Sequence, residues 1–269
     1  MLSPEEMIRY SRHLNLEGVG AEGQEKIKSA RVLIIGAGGL GSPVAMYLAA
    51  AGVGTIGLAD DDVVEAANLQ RQVLYCDGDV GAHKADRGAA RLKAQNPGVH
   101  VNVYRTRVDT ENIRELIRDY DFIIDGVDNF PSKFLINDAC VLEGKPFCHG
   151  GVVQFHGQVM TYVPGQGPCY RCIFEEIPPA GTVGNCSELG VMGAMVGIIG
   201  TIQAMEAMKY IVGTGELLTG SLLTVDGLTM NFRKVHFPHA REDCPACGEH
   251  PSIREVEGRQ MRYVEKETS

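Results

Sequence analysis

Four glycines fall in the run Gly36-Ala37-Gly38-Gly39-Leu40-Gly41, directly behind the apolar run Val32-Leu33-Ile34-Ile35. A strand that ends in such a loop and feeds a helix is the arrangement that cradles phosphate. Gly36 permits the tight turn, Gly38 and Gly39 keep side chains away from an approaching anion, and Gly41 allows close helix–strand packing. The helix start adds free N–H groups and positive potential. Asp60 stands about twenty positions further on, at the end of a second short strand, where a carboxylate accepts ribose hydroxyl protons. A dinucleotide is the default ligand of this fingerprint. The next segment argues for a triphosphate instead. Asn68-Leu69-Gln70-Arg71-Gln72 and then Lys84 bring two cations and several amides toward the loop. The outer phosphates of a triphosphate need that counter-charge, whereas a pyrophosphate held by backbone does not. Asp128 and Asn129 follow a third apolar strand, Phe122-Ile123-Ile124, whose end also carries Asp125. A carboxylate placed there beside a triphosphate holds Mg²⁺ directly or through water, and a helix-capping role before Pro131 is compatible with it.

The cysteines give the sharpest spacing. Cys169-Tyr170-Arg171-Cys172 and Cys244-Pro245-Ala246-Cys247 are two Cys-x-x-Cys pairs. Together they read as a four-thiolate Zn²⁺ site, closed and therefore structural, tying a long central loop to the C-terminal segment. A thioredoxin-like redox pair is the alternative for either half. Cys140 and Cys148 sit among helix and strand residues and read as inert core, and Cys76 has no evident partner. Cys186 follows Gly184-Asn185 just before a helix expected to begin near Ser187. A helix N-terminus favours a thiolate, so Cys186 is a candidate nucleophile, against the alternative of a buried unreactive cysteine.

The elements that must position these groups alternate. Ser3-Pro4-Glu5-Glu6 has the pattern of a capping box with proline in the first turn. A second helix over 21–29, the strand 32–35, a helix 43–51 closed by Gly52, and the strand 55–59 follow. Then come helix 84–94, strand 99–104, helix 110–118, strand 122–124, helix 134–142, and strands over 147–149 and 158–162. Such alternation predicts an α/β fold: a doubly wound, Rossmann-like, mostly parallel sheet covered on both faces. Residues 164–185 are rich in Pro, Gly and Cys and read as a long loop. Ile198, Ile202, Met205, Met208 and Val212 recur at helical spacing and predict the buried face of one helix. Strands over 222–225 and 232–236 form a C-terminal β/α extension with that helix. With no repeat and no linker, residues 1–269 read as a single domain: a nucleotide-binding half over 30–150, a second half over 151–250 with the zinc site, and a tail over 251–269.

Composition agrees with a globular protein: 44% hydrophobic and 22% charged residues, with 33 glycines among 269 residues. The net charge of −9 removes the usual signature of nucleic-acid binding. Residues 1–30 are charged throughout and lack a secretory apolar core, and the weakly polar stretch 189–205 is slightly short for a membrane span. The expectation is a cytoplasmic protein with no membrane partner.

The residues assembled above resemble the E1-like activating family of MoeB and ThiF (the HesA/MoeB/ThiF type), to which the ubiquitin- and SUMO-activating enzymes are related. The matching pieces are the glycine run 36–41, Asp60-x-Asp62, Asn68 to Gln72, Lys84, Asp128-Asn129, both cysteine pairs, and Arg9-Tyr10-Ser11-Arg12 near the start. The resemblance spans about residues 5–250. It implies a sulfur-carrier protein adenylyltransferase: ATP with Mg²⁺ activates the C-terminal glycine of a small ubiquitin-like carrier, MoaD- or ThiS-like, for later thiocarboxylate formation in molybdopterin or thiamin biosynthesis. By motif position Asp60 would hold ribose, Asn68 and Arg71 the phosphates, Lys84 the reacting phosphate region and Asp128 Mg²⁺. Arg12 would reach the partner's phosphates in a homodimer, and Cys186 would serve sulfur transfer. Because only about twenty residues follow Cys247, the sulfur donor is expected to be a separate protein of cysteine desulfurase or rhodanese type. An NAD-dependent oxidoreductase would keep the glycine loop and Asp60 but leave Arg71, Lys84 and the cysteine pairs without a shared purpose. A non-catalytic carrier-binding protein of the same fold is the other alternative.

Overall fold

A computed structural model describes residues 1–179, 189–258 and 263 of the chain. Cys186 lies outside the described residues. The chain opens with α1 (Pro4–Arg9), capped by the expected reciprocal Ser3–Glu6 box, then α2 (Ser11–Leu14) and α3 (Gly20–Ser29). The first half of the sheet runs β1 (Arg31–Ile35), α4 (Gly41–Ala51), β2 (Thr55–Ala59), α5 (Lys84–Gln95), β3 (His100–Tyr104), α6 (Ile113–Arg118), β4 (Phe122–Asp125) and α7 (Phe130–Leu142). The second half runs β5 (Phe147–Val153), β6 (His156–Tyr162), α8 (Tyr170–Ile173), α9 (Gly193–Val212), β7 (Ser221–Asp226) and β8 (Asn231–His236).

All eight strands join one sheet in the order β3-β2-β1-β4-β5-β6-β7-β8. Strands β1 to β5 pair in parallel, and β5 to β8 continue antiparallel. The fold is the doubly wound α/β sheet predicted. Strand alternation explains the two covered faces. Val32, Ile34, Phe122 and Ile124 point to one apolar layer with α4, α5 and α9. Leu33, Ile35 and Ile123 point to the other, with α6, α7 and the cysteine-bearing segments. Continuous apolar runs are what a strand buried on both faces requires.

Three local expectations shift. Helix α7 begins at Phe130 because the Asn129 Oδ1 accepts the Ser132 N–H at 2.9 Å and starts the helix there. Helix α6 begins at Ile113, since Asp109 Oδ1 accepts the Glu111 and Asn112 N–H groups and spends 109–112 on a turn. The face of α9 is corrected more deeply. Met205 is 60% exposed, and Ile198, Ile202 and Met208 are half-buried. Val212 is buried as expected, and the rest of the buried side carries Met195, Val196, Ile199, Gly200, Gln203, Ala204, Glu206 and Ala207. Polar residues sit inside because they find partners there. Gln203 Nε2 donates to the carbonyls of Asp125 and Cys148, and Glu206 accepts from Thr161 Oγ1 and the Leu218 N–H. Gly200 lets α4 close in: a Cβ there would stand 2.6 Å from the Leu40 oxygen. By length and composition α9 could cross a bilayer, yet it packs against α4, β5 and β6.

Candidate active site

The sheet order places β1 between β2 and β4, so the loops leaving their carboxyl ends diverge and open a crevice. A cleft of about 1020 Å³ fills it and runs on across the ends of β5 to β8. The glycine loop forms its floor at the nucleotide end. Gly36 has φ +91°, a left-handed conformation, and a Cβ there would press on the Gly126 carbonyl at 2.9 Å. A Cβ on Gly41 would land on the Gly36 carbonyl oxygen, so α4 can start against β1 only with glycine. Gly38 and Gly39 line the open cleft.

Asp60 binds the loop to the end of β2. Its Oδ2 accepts the Ala37 N–H at 2.8 Å and its Oδ1 the Asp62 N–H at 2.9 Å. Burial pushes its carboxyl up from the usual range, against the pull of nearby Lys84. Lys84 is buried at the start of α5 and its Nζ rests 2.8 Å from Asp62 Oδ2. Asp62 is thus the resting counter-ion of the cation expected at the phosphates. Arg71 lines the cleft with its guanidinium Nη1 donating to the Ala67 carbonyl at 3.0 Å. Gln72 is buried beside Gly38 and its Oε1 has no partner among the described residues. Asp128 stands exposed on the cleft wall next to Asn129, which caps α7.

Two expected site residues lie elsewhere. Asn68 does not line the cleft: its Oδ1 accepts the Glu65 N–H at 3.2 Å and closes the 3₁₀ turn that presents Arg71 and Gln72. Arg12 is exposed on α2, outside the cleft of its own chain.

Beneath the cleft lies a network that the sequence reading did not assemble. Asp125, at the end of β4, is fully buried and faces Lys133 Nζ at 3.2 Å and His149 Nδ1 at 2.7 Å. Lys133 Nζ also donates to the Gly150 carbonyl at 2.7 Å. Burial, helped by the Lys133 charge, pushes His149 down to about 4, so the ring is neutral and donates from Nδ1. Burial opposes ionisation of Asp125, yet Lys133 and His149 outweigh it and hold the carboxyl below its ordinary range. Asp125 Oδ1 also accepts the Val127 N–H, which fixes the turn leading to Asp128. The signal available in the sequence was Lys133 itself, a cation set in the apolar run of α7.

The cysteine pairs meet. The sulfurs of Cys169, Cys172, Cys244 and Cys247 all lie within 4.8 Å of one another, with Cys169–Cys244 at 3.6 Å and Cys172–Cys247 at 3.4 Å. Tetrahedral Zn–S bonds of about 2.3 Å require sulfur separations of about 3.8 Å, so the donor set fits a structural zinc. The Arg241 N–H donates to Cys172 Sγ at 3.4 Å, as second-layer donors to thiolates do. Within the first pair, Arg171 forks onto Asp138 of α7 at 2.7 and 2.8 Å, and Tyr170 N–H donates to Asn137 Oδ1. The knuckle is therefore riveted to α7, and it delivers Tyr170 and Phe174 to the cleft wall.

Comparison with known proteins agrees with this geometry. Residues 10–246 match the model of the ThiF family. The chain is 48% identical to the SAMP-activating enzyme E1 of Haloferax volcanii, covering 92% of this chain and 91% of that one. It is 47% identical to the sulfur carrier protein adenylyltransferase of Thermus thermophilus, covering 94% of each. Among solved structures, E. coli MccB bound to MccA-N7isoASN superposes with a TM-score of 0.81 at 25% identity, covering 92% of this chain and 76% of that one. With the crevice, the loop and the two cysteine pairs in the places described, this chain belongs to the ThiF family.

Proposed function

We propose that the protein is an adenylyltransferase that uses ATP to activate the C-terminal carboxylate of a small ubiquitin-like sulfur-carrier protein. One observation supports this reading: a single cleft lined by the glycine loop, Arg71, Lys84 and Asp128 continues into an open trench across the ends of β5 to β8. A hydride-transfer enzyme has no use for that cationic cluster.

The chain's residues then have defined tasks. Asp60 accepts the ribose hydroxyls. Gln72 Oε1 accepts a further donor from the nucleotide. Lys84 exchanges Asp62 for a phosphate oxygen, and Arg71 neutralises the outer phosphates. Asp128 would hold Mg²⁺, which when bound would supply charge neutralisation at the phosphates and the leaving group. The carrier carboxylate oxygen attacks the α-phosphorus as the bond to pyrophosphate breaks, giving an acyl-adenylate and free pyrophosphate. Such a transfer between anions needs positioning and charge neutralisation more than an acid–base pair. Zinc at the four cysteines, a homodimer sharing Arg12, a separate sulfur donor and sulfur transfer through Cys186 complete the proposal. The carrier is MoaD- or ThiS-like and serves molybdopterin or thiamin synthesis.

The test is pyrophosphate exchange into ATP with a panel of carriers, run beside a fluorescence titration with NADH. Carrier-dependent exchange that Asp128→Ala abolishes, in a variant that stays folded, is the expected result. Tight NADH binding with no exchange from any carrier would overturn the reading.

A further inference from the structure

A residue lining the cleft carries a buried hydroxyl without a partner among the described residues. Tyr170 is 1% exposed and lines the cleft, and its OH makes no hydrogen bond among the described residues. Its ring is fully engaged: it packs tilted against both His149 and Phe174 at 4.6 Å and meets Phe134 edge-on at 5.0 Å. A phenylalanine would pack there as well without leaving a polar atom dry, and a buried unmade hydrogen bond costs stability. A phenol O–H is a hydrogen-bond donor. It needs an acceptor that the described residues do not supply.

A matching acceptor lies on the other side of the same histidine. His149 is neutral with its proton on Nδ1, so Nε2 is a bare lone pair. Gln158 Nε2, at 3.4 Å, must therefore be the donor to it, which fixes the amide orientation and leaves Gln158 Oε1 without a partner among the described residues. Between them lies Gly151, where a Cβ would stand 3.2 Å from Gln158 and 3.4 Å from His149 Nε2, so a bare backbone keeps this stretch open. Tyr170 and Gln158 both line the cleft and both contact the His149 ring, and one donor with one acceptor matches the C=O and N–H of a peptide backbone.

We infer that the Tyr170 hydroxyl and the Gln158 side-chain carbonyl grip a peptide group in the extended C-terminal tail of the carrier, holding that tail in line with the nucleotide. The inference rests on the adenylation reading above and specifies which residues recognise the tail. Selection falls on backbone rather than on a side chain, so the site accepts any tail slim enough to lie over Gly151.

The test uses the full chain and a carrier that supports pyrophosphate exchange with the unaltered protein; absence of any such carrier defeats the adenylation reading and this inference with it. Tyr170→Phe should raise the carrier KM about three- to tenfold, the span of one neutral hydrogen bond, and leave the ATP KM unchanged. Gln158→Ala should do the same, with a double variant less impaired than the product of the two, because both hold one group. Melting of Tyr170→Phe without ligands should occur at or above the temperature of the parent, since no partner is lost. An unchanged carrier KM, an equal rise for ATP, or a melting temperature lowered by several degrees would each overturn the inference.

Discussion

His149 is enclosed by Asp125, Lys133, Gln158, Tyr170 and Phe174, and its neutrality has a measurable consequence. Its pKa is about 4 in the fold, against about 6.5 in the unfolded chain. Between those values the unfolded state binds more protons, so stability falls as pH drops from 6.5 toward 4 and is complete above that window. The loss is of order 3 kcal/mol at most for this one group. His149→Gln, melted across pH 4 to 7, should show a shallower slope than the parent; an identical slope would remove His149 as its source. At this scale the sequence was most legible where a residue's role is written in its neighbours. The glycine run, Asp60, Lys84 and the cysteine pairs could be named because spacing alone restricts what they do. Asn68 could not be placed, because an asparagine in a short turn satisfies its own backbone as readily as a ligand. Tyr170, Gln158 and His149 became visible only when β5, β6 and α8, separated in sequence, were brought around one cavity.

At the level of elements, α8 joins two tasks. With Cys169 just before its first residue, it carries half of the cysteine cluster, the Arg171 fork to α7 and the Tyr170 wall of the cleft. A helix this short has no stability of its own and needs tertiary ties. The prediction is that freshly purified protein holds about one zinc per chain. Cys172→Ser or Cys244→Ser should lower soluble yield and melting temperature, and it should raise the carrier KM before it touches that of ATP. Protein free of zinc by elemental analysis, yet fully stable, would refute the metal assignment. The strands were readable from their apolar runs because both faces are covered. The misplaced face of α9 has the opposite cause. That helix is apolar nearly all round, so periodicity did not fix its inner side, and the partners of Gln203 and Glu206 decided it.

On the scale of the whole molecule, Arg12 is the outlier, an exposed cation on α2 away from the cleft whose chemistry it is expected to share. A dimer resolves this if Arg12 completes its partner's site. Mixing Arg12→Ala chains with Lys84→Ala chains should then restore exchange, since each hybrid contains one site with both residues. Hybrid dimers that form but stay inactive would assign Arg12 to its own subunit or to no catalytic task. The single sheet sets a further limit, one of length. Neighbouring strands stand about 4.8 Å apart, so the trench from β4 to β8 is roughly 19 Å long. A fully extended chain covers at most about 3.5 Å per residue. A carrier whose folded body comes to rest against β8 must therefore trail about five or six unfolded residues before its carboxylate meets the nucleotide. The sheet acts as a ruler, and a shorter tail stops short of the reaction whatever its sequence.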